Sequence, residues 1–295
     1  MMSTVHAPYN LEVADTCLNC RMQGRGYFCH LAGEELEALA AISYSTVYPE
    51  GSVLFVEGQM PRGVYILCRG KAKLSMVSKE GKTLILRISE PGDVLGLSSC
   101  LLSQPYQGTV ETLTPCQVNF IRREDFVRYI RSHANAMFRV AEFLSREYQS
   151  ACHEIGSLGL AHSAAEKMAR LLLDWKETRA NGNGSTVLKL TLTHEEMAQM
   201  IGSSRETVTR MLARFRASNY IEVHGSTLLI RDRAALQEIA NSDGDEQEVE
   251  ARLHPVAGNG SERRASGAGQ GGTAAAGSRS RSPRVSAPVL QLSAR

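Results

Sequence analysis

The chain has 295 residues, which is long enough for two ordinary domains that each bury their own core. Its net charge of +2 excludes a protein that coats nucleic acid through a general basic excess, so any contact with DNA must be local. No run of 18 or more apolar residues occurs, and the first residues lack an apolar segment. We therefore expect no membrane span and no signal peptide, and we expect a cytoplasmic protein.

Residues 1–35 form a cysteine-containing segment with the run CLNCRMQGRGYFCH, in which the thiols are Cys17, Cys20 and Cys29. The chain contains seven cysteines, and an odd number without an export signal argues against a disulfide framework and for metal, redox or core roles. Three other cysteines have apolar neighbours and are predicted to be simple core residues, namely Cys68, Cys100 and Cys152.

Residues 36–125 are a succession of short apolar runs separated by glycines, which is typical of a compact antiparallel β domain. The run KAKLSMVSKEGKTLILRI alternates apolar and polar residues and predicts a hairpin that turns at Glu80 and Gly81 with one face buried. The residues predicted for the buried face are Ala72, Leu74, Met76, Leu84, Leu86 and Ile88.

Residues 126–160 are predicted to form a long dimerisation helix. Apolar residues follow one another here at alternating steps of four and three, which is a seam of three heptads and favours a parallel coiled-coil dimer. The alternative is a long helix that packs its stripe on its own domain. The seam consists of Met137, Ala141, Leu144, Tyr148, Ala151, Ile155 and Leu158.

Residues 161–241 are predicted to form a second domain. It starts with an amphipathic helix over 163–179, which the loop NGNGS ends. Thr193 and Glu196 have the spacing of a capping box at the start of the next helix. Gly202 then allows a left-handed turn into a further helix, so residues 192–215 are predicted to be a helix-turn-helix.

The second helix of this motif has an apolar inward face, which leaves a polar set exposed at its start. Arginine can donate two hydrogen bonds to guanine, glutamate can accept one from cytosine, and threonine can contact a thymine methyl group. The serines and the helix N-terminus would contact phosphate. The predicted DNA-binding residues are Ser203, Ser204, Arg205, Glu206, Thr209 and Arg210. The following run IEVHGSTLLI predicts the small hairpin of a winged helix.

Residues 242–295 contain almost no large apolar side chains, so they are predicted to be a disordered tail. The predicted fold class is therefore α+β: a β-roll or jelly roll, a long helix, a winged helix-turn-helix and a tail. No nucleophile elbow, P-loop or HExxH motif is visible, so we do not expect an enzyme.

With these residues in hand, the chain resembles the CRP/FNR family of bacterial transcription regulators over about residues 17–240. The resemblance implies a homodimer in which Arg205, Glu206 and Arg210 face base edges, with each subunit reading half of a palindromic promoter site. It implies a half-site similar to TGTGA and a contact with RNA polymerase. A signal sensed by the N-terminal domain would shift the helix seam and set the spacing of the two reading helices.

In family members that bind cyclic nucleotides, a glycine-rich loop carries Gly-Glu and then Arg-Ser. The predicted sensor loop of this chain consists of Gly92, Gly96, Leu97 and Gln107, with Leu97 in place of the glutamate and Gln107 in place of the arginine. A neutral glutamine cannot replace the charge-assisted contact to a phosphate. Cyclic AMP binding is therefore not expected. The alternative of a regulatory module that binds another small ligand of this kind, without redox sensing, stays open.

Oxygen-sensing members of the family hold an iron–sulfur cluster on three N-terminal cysteines and a fourth at a position similar to Cys116. The resemblance thus implies Cys17, Cys20, Cys29 and Cys116 as ligands of a [4Fe-4S] cluster. Eight residues separate Cys20 from Cys29, which is longer than the family spacing. The alternatives are zinc on the same four thiols or with His30, a dithiol switch at Cys17 and Cys20, and no metal at all.

Overall fold

The computed structural model describes residues 17–20, 26–161, 163–175, 178–180, 186–189, 192–225 and 227–242. The predicted NGNGS loop and all but the first residue of the predicted tail lie outside these ranges. The described helices, in chain order, are α1 (Gly33–Ala41), α2 (Leu97–Leu102), α3 (Arg123–Ser132), α4 (Ala134–Leu160), α5 (Ala164–Leu173), α6 (His194–Ile201), α7 (Arg205–Ala217) and α8 (Arg233–Ala240). None of them has the length and apolar character needed to span a lipid bilayer.

The N-terminal domain is the predicted antiparallel β-roll. Its strands are β1 (Ser43–Tyr48), β2 (Val53–Phe55), β3 (Gly63–Arg69), β4 (Ala72–Val77), β5 (Thr83–Ser89), β6 (Val94–Leu95), β7 (Thr109–Thr112) and β8 (Cys116–Arg122). They form two four-stranded sheets, with the orders β1-β8-β3-β6 and β2-β7-β4-β5. Helix α1 precedes the first strand, so the boundary predicted at residue 36 falls inside a helix.

The sheet β1-β8-β3-β6 has a different core on each face, because successive side chains of a strand point to opposite sides. Val64 and Ile121 belong to the outer core, which lies on the outer side of the roll and also contains Phe28 and side chains of helix α3. Leu67 and Val118 belong to the core between the two sheets. A residue of β3 or β8 can therefore be assigned to the outer or the inner core by its place in this alternation.

The hairpin prediction is right about the turn and partly wrong about the buried face. Gly81 has a φ of +81° in the turn between β4 and β5. The register shifts between Leu74 and Ser75 because Leu86 is an extra residue in β5. Burial departs from the prediction on both strands. In β5 Ile85 is buried, while Leu84 and Leu86 are half-buried. In β4 Ser75 is buried, and Met76, predicted to face the core, is 38% exposed.

The predicted helix over 126–160 is two helices, because the backbone at His133 is extended with φ −128° and ψ 103°. Helix α3 packs on the roll, and α4 continues for 27 residues. Three side chains of α4 are buried against the roll at a helical spacing, and they are Ala136, Val140 and Phe143. The face that α4 presents to its own domain is therefore next to the predicted seam, and Leu144 of the seam packs partly against the same core.

The C-terminal domain combines α5 to α8 with a four-stranded antiparallel sheet. Its strands are β9 (Thr178–Ala180), β10 (Thr186–Lys189), β11 (Ile221–His224) and β12 (Thr227–Ile230), in the order β11-β12-β10-β9. The amphipathic helix predicted over 163–179 ends earlier, at Leu173, and Thr178–Ala180 is a strand. The predicted wing hairpin is confirmed, with Ile221 paired to Ile230.

Candidate nucleic-acid interface and thiol site

Helices α6 and α7 form the predicted helix-turn-helix. Thr193 and Glu196 make the predicted capping box, in which each side chain accepts a hydrogen bond from the backbone N–H of the other. Gly202 ends α6 with a φ of +65°, a conformation that favours glycine. Ser204 caps α7 by accepting a hydrogen bond from the Thr207 N–H at 3.2 Å. Such caps each contribute about 1 kcal/mol, so the angle between the two helices is set locally.

The inward face of α7 determines which side chains remain outside. Four residues with helical spacing are buried in the core of the domain, namely Val208, Met211, Leu212 and Phe215. The opposite face leaves four of the predicted base-reading residues exposed at the N-terminal half of the helix, and they are Arg205, Glu206, Thr209 and Arg210. Ser203 is half-buried, and its N–H donates to the Ala198 carbonyl at 2.9 Å.

Glu206 and Thr209 have their chemistry fixed by nearby groups. The pKa of Glu206 lies below its ordinary value because its own backbone N–H and the Ser204 hydroxyl donate to the carboxylate. Glu206 is therefore ionised at neutral pH and is an acceptor. The Thr209 hydroxyl donates to the Arg205 carbonyl at 2.9 Å and lies 2.9 Å from Nδ1 of His194. Since this oxygen is already engaged, the methyl group is what Thr209 offers to a ligand.

The helix-turn-helix also contacts the β-roll. Nζ of Lys73 in β4 lies 3.3 Å from Oε1 of Glu196, and both side chains are about five-sixths buried. Nζ of Lys82 donates to the carbonyl of Gly202, the turn residue of the motif, at 3.2 Å. Ile88 of β5 packs against the core of the C-terminal domain. The β4–β5 hairpin therefore holds α6, which directly precedes α7, the reading helix, whose start carries the predicted base-reading residues.

The predicted seam lies on the surface of the single chain. Tyr148 is 72% exposed and Ile155 is 70% exposed, and Met137 is exposed as well. Ala141 and Ala151 are exposed, whereas Leu144 and Leu158 are half-buried. A stripe of large apolar side chains on this scale is typical of a surface that another chain covers.

The predicted sensor loop is packed around an aromatic pair. Gly96 has a φ of +76°, and a Cβ there would lie 2.7 Å from the ring of Tyr106. Tyr106 stacks on Phe55 with ring centroids 3.9 Å apart, and its hydroxyl donates to the Gly63 carbonyl at 3.0 Å. Burial raises the pKa of Tyr106 well above its ordinary value, so the hydroxyl stays a donor.

The two positions at which this loop differs from the pattern of cyclic-nucleotide binders do not face a common site. Leu97 is 2% exposed and belongs to the outer core, and Gln107 is exposed to solvent. Gly92 approaches the cysteine segment, because a Cβ on Gly26 would lie 2.5 Å from the Gly92 Cα. The loop thus brings neither Leu97 nor Gln107 to a common ligand.

The three N-terminal cysteines gather against the outer face of the roll. Cys17 packs against the outer core, and its sulfur accepts a hydrogen bond from Nδ2 of Asn119 at 3.1 Å. The ring of Phe28 is 1% exposed and meets Phe126 edge-on, with centroids 5.8 Å apart, so it anchors the turn that carries Cys29. Burial, with a smaller effect of the neighbouring thiols Cys20 and Cys17, raises the pKa of Cys29 to about 11.

Cys116, the fourth predicted ligand, is not brought to these three. It belongs to the inner core, and its thiol donates to the carbonyls of Lys71 and Thr114 at 3.2 and 3.1 Å. Asn119, which contacts Cys17, lies three residues further along β8 and so on the opposite face. The sequence could not reveal this separation, because it depends on which face of the strand is covered by the cysteine segment.

All seven cysteines lie in the described part of the chain, and none forms a disulfide. Cys100 is buried, as predicted, but Cys152 is exposed on α4 and Cys68 is half-buried, so the prediction that all three are core residues is wrong for these two. Among the described residues, no three His, Cys, Asp or Glu side chains already surround a point that could hold a metal ion.

Comparison with known proteins agrees with this architecture. Residues 166–239 match the family model of the Crp-like helix-turn-helix domain, and residues 45–133 match that of the cyclic nucleotide-binding domain. The chain is 26% identical over 219 residues to the cyclic AMP receptor protein of Thermus thermophilus, which covers 74% of this chain and 98% of that protein.

Two further proteins show the same likeness. The CRP-like cAMP-activated global transcriptional regulator of Mycobacterium tuberculosis is 27% identical over 209 residues, covering 69% of this chain and 92% of that protein. A solved structure of a CRP/FNR-family transcriptional regulator from Thermus thermophilus superposes with a TM-score of 0.56 at 25% identity, covering 68% of this chain and 100% of that chain. Both of these proteins are described as transcriptional regulators.

Proposed function

Since the chain belongs to the CRP/FNR family of DNA-binding transcription regulators, we propose that it is a homodimer that binds an inverted repeat and is gated by an iron–sulfur cluster. Its site of action is then the cytoplasm, where bacterial DNA lies, and it recruits or blocks RNA polymerase. The observation that carries the proposal is the exposed set Arg205, Glu206 and Arg210 at the start of a helix whose other face is buried.

The reading chemistry follows from these three side chains. Arg205 and Arg210 can each donate a pair of hydrogen bonds to O6 and N7 of a guanine, and the ionised Glu206 can accept one from N4 of a cytosine. The methyl group of Thr209 fits a thymine methyl. A half-site with G·C pairs next to a T·A pair matches this set, in agreement with a half-site similar to TGTGA.

The exposed seam of α4 supports a dimer. If Tyr148 and Ile155 pack against the same residues of a second copy, the two reading helices are related by a two-fold axis. Each helix then enters a major groove, with the half-sites about one helical turn apart. The dimer can bind both half-sites at once only when the distance between its two reading helices fits the DNA. A movement along α4 would change that distance and so control the affinity.

The donor set supports the cluster as the sensor. Cysteine thiolates are the ligands that iron–sulfur clusters take, and three half-buried cysteines lie in this segment, with Cys17 packed against the outer core. A bound cluster would supply redox chemistry that responds to oxygen. Cys17, Cys20 and Cys29 would hold it, and Asn119 would donate a hydrogen bond to the Cys17 sulfur.

A continuous set of contacts leads from the cysteine segment to the dimer helix. Tyr27 lies two residues before Cys29, and its ring meets Phe143 of α4 edge-on. The guanidinium of Arg87 in β5 lies 5.8 Å from the centroid of the same Phe143 ring and is paired with Glu147 of α4. Because β5 also packs on the C-terminal domain, a change at the thiols can bias both the seam and the position of the reading helix.

Selection of DNA from a random library by the purified protein, under strict exclusion of oxygen, tests the proposal. We expect an inverted repeat with G·C-containing half-sites, salt-sensitive binding, and iron and sulfide in the bound protein. Recovery of no preferred sequence would refute the reading function. Recovery of a sequence by protein that takes up no iron and sulfide would refute the cluster alone.

A further inference from the structure

Cys68, which the sequence suggested to be a core residue, occupies an unusual backbone position. In the pairing of β3 with β8, Leu67 lies opposite Val118 and Arg69 lies opposite Gln117, so Cys68 is the extra residue of a β-bulge. A bulge locally twists a strand and redirects a side chain, and bulges are frequent beside functional sites. Cys68 is half-buried, unlike Leu67 before it, which is fully buried in the inner core.

The thiol of Cys68 lies near the residue that contacts Cys17. The Cys68 S–H donates to the Ile66 carbonyl at 3.6 Å, and Ile66 lies directly opposite Asn119 in the pairing of β3 with β8. The side chain of Asn119 donates to the Cys17 sulfur at 3.1 Å. Asn119, on the outer face of β8, therefore contacts a thiol of the N-terminal segment and lies opposite the residue that the Cys68 thiol contacts.

Asn119 is itself aimed at this group of thiols. It is 5% exposed, and its Oδ1 is buried without a hydrogen-bond partner in the described part of the chain. A buried amide oxygen of this kind costs about 1–3 kcal/mol, so its retention calls for a role. The role that its contact indicates is to hold the Cys17 sulfur in position on the face of β8 that lies opposite Ile66.

The strand register places Cys68 on the side of the roll where the N-terminal cysteines lie. Its thiol contacts Ile66, which belongs to the outer core and lies opposite Asn119, the residue that contacts Cys17. In agreement with this placement, burial is the main cause that raises the pKa of the Cys68 thiol, and Cys17, Cys29 and Cys20 raise it as well. The pKa of Cys116, by contrast, is raised by burial and is otherwise affected only by Lys71 and Thr114.

We infer that Cys68, in place of Cys116, is the fourth ligand of a four-thiol site with Cys17, Cys20 and Cys29, in which Asn119 is a positioning residue for Cys17. The inference rests on the proposed function for the identity of the bound group, a [4Fe-4S] cluster. Each thiol loses its proton to solvent when its sulfur–iron bond forms. Among the described residues no three such side chains already surround a point that could hold a metal ion, so the four thiols have to draw together when the cluster binds.

The test uses the full chain, prepared without oxygen and reconstituted with iron and sulfide, and compares Cys68→Ser with Cys116→Ser. We expect Cys116→Ser to hold about four iron and four sulfide per subunit with an absorption band near 400 nm, as does the wild type. We expect Cys68→Ser to lose most of both. Cys152→Ser, at an exposed position on α4, is the matched control. A full complement in Cys68→Ser together with a loss in Cys116→Ser overturns the inference.

The same variants separate this inference from the proposed function. If the wild type is colourless but binds one zinc ion that only Cys68→Ser loses, the four-thiol site stands and the iron–sulfur proposal fails. If the wild type binds neither group, both fail. If Cys17→Ser loses the cluster while Cys68→Ser and Cys116→Ser both keep it, the proposed function stands and Cys68 is not a ligand.

A measurement without metal guards against a folding defect. A short reagent that bridges two thiols, applied to metal-free wild-type protein, should link Cys68 to one of the N-terminal cysteines and leave Cys116 unlinked, as read from peptide masses. Links from Cys116 to the N-terminal cysteines, with none from Cys68, would overturn the inference independently of any variant.

Discussion

Tyr27 meets Phe143 edge-on, with ring centroids 4.8 Å apart and an interplanar angle of 89°. The first ring belongs to the cysteine segment and the second to the helix that carries the exposed seam. The guanidinium of Arg146 lies 5.4 Å from the centroid of the Tyr27 ring and adds a cation–π contact. This pair is therefore the place where a change in the cysteine segment first meets α4.

Replacing Tyr27 with Ala should reduce the effect of the cluster on DNA affinity, with only a small loss in the free energy of unfolding. An edge-to-face pair contributes about 0.5–1.5 kcal/mol, so the loss in unfolding free energy should be of that order. Iron content should stay at the wild-type level, while the difference in DNA affinity between cluster-loaded and cluster-free protein should shrink. Tyr27→Phe keeps the ring and is the control. An unchanged affinity difference in Tyr27→Ala would exclude this route.

Replacing Arg210 with Ala should reduce sequence preference. If Arg210 donates two hydrogen bonds to a guanine, its loss costs roughly 1–3 kcal/mol on the preferred site and little on other DNA. Fluorescence anisotropy with both DNAs measures this. Arg216→Ala removes the same charge from the last turn of the same helix, where the side chain is also exposed, and should affect both DNAs alike. Equal losses on the two DNAs in Arg210→Ala would refute the assigned role.

Replacing Ile155 with Glu should convert the protein into monomers. The side chain is 70% exposed in the single chain, so the folded subunit should keep its melting temperature, whereas two facing carboxylates would repel each other across a dimer seam. Sedimentation equilibrium should report the mass of one chain, and retention of the inverted repeat should be lost. Gln149→Glu adds the same charge to the exposed surface of α4 outside the seam and should remain dimeric. A dimeric Ile155→Glu would contradict the assignment of the seam.

Cyclic AMP should produce no heat of binding in calorimetry. The positions that would contact ribose and phosphate carry a leucine buried in the outer core and a neutral, exposed glutamine, and the stacked rings of Phe55 and Tyr106 lie beside Gly96. A cyclic phosphate would lose its hydration without gaining a charged partner. Saturable heat at micromolar nucleotide would show that another part of the roll binds it.

The parts of the structure that follow local rules were predictable from the sequence. The capping box at Thr193 and Glu196, the turn at Gly202 and the inward face of α7 depend on residues three or four positions apart, and all are present as predicted. The wing hairpin was predictable for the same reason. These elements specify the reading helix almost completely.

The parts that depend on bulges and on distant strands were not predictable. The extra residue Leu86 shifts the register of β5 against β4, and the bulge at Cys68 lies beside Asn119, which contacts Cys17 about fifty residues earlier in the chain. No local pattern marks either one, because a bulge is defined by the partner strand. The extended backbone at His133, which divides the predicted helix in two, is likewise not marked by proline or glycine.

The most direct test of the account measures one sample twice. The affinity of the cluster-loaded dimer for its selected inverted repeat is determined without oxygen, and again after exposure to air has removed the cluster. Coupling between a sensor and a DNA site typically amounts to about 1–3 kcal/mol, so the account predicts affinities that differ by about 5–150-fold, with wild-type dimer mass in both states. Equal affinities in the two states, with iron present in the first and absent in the second, would contradict gating by the thiol site.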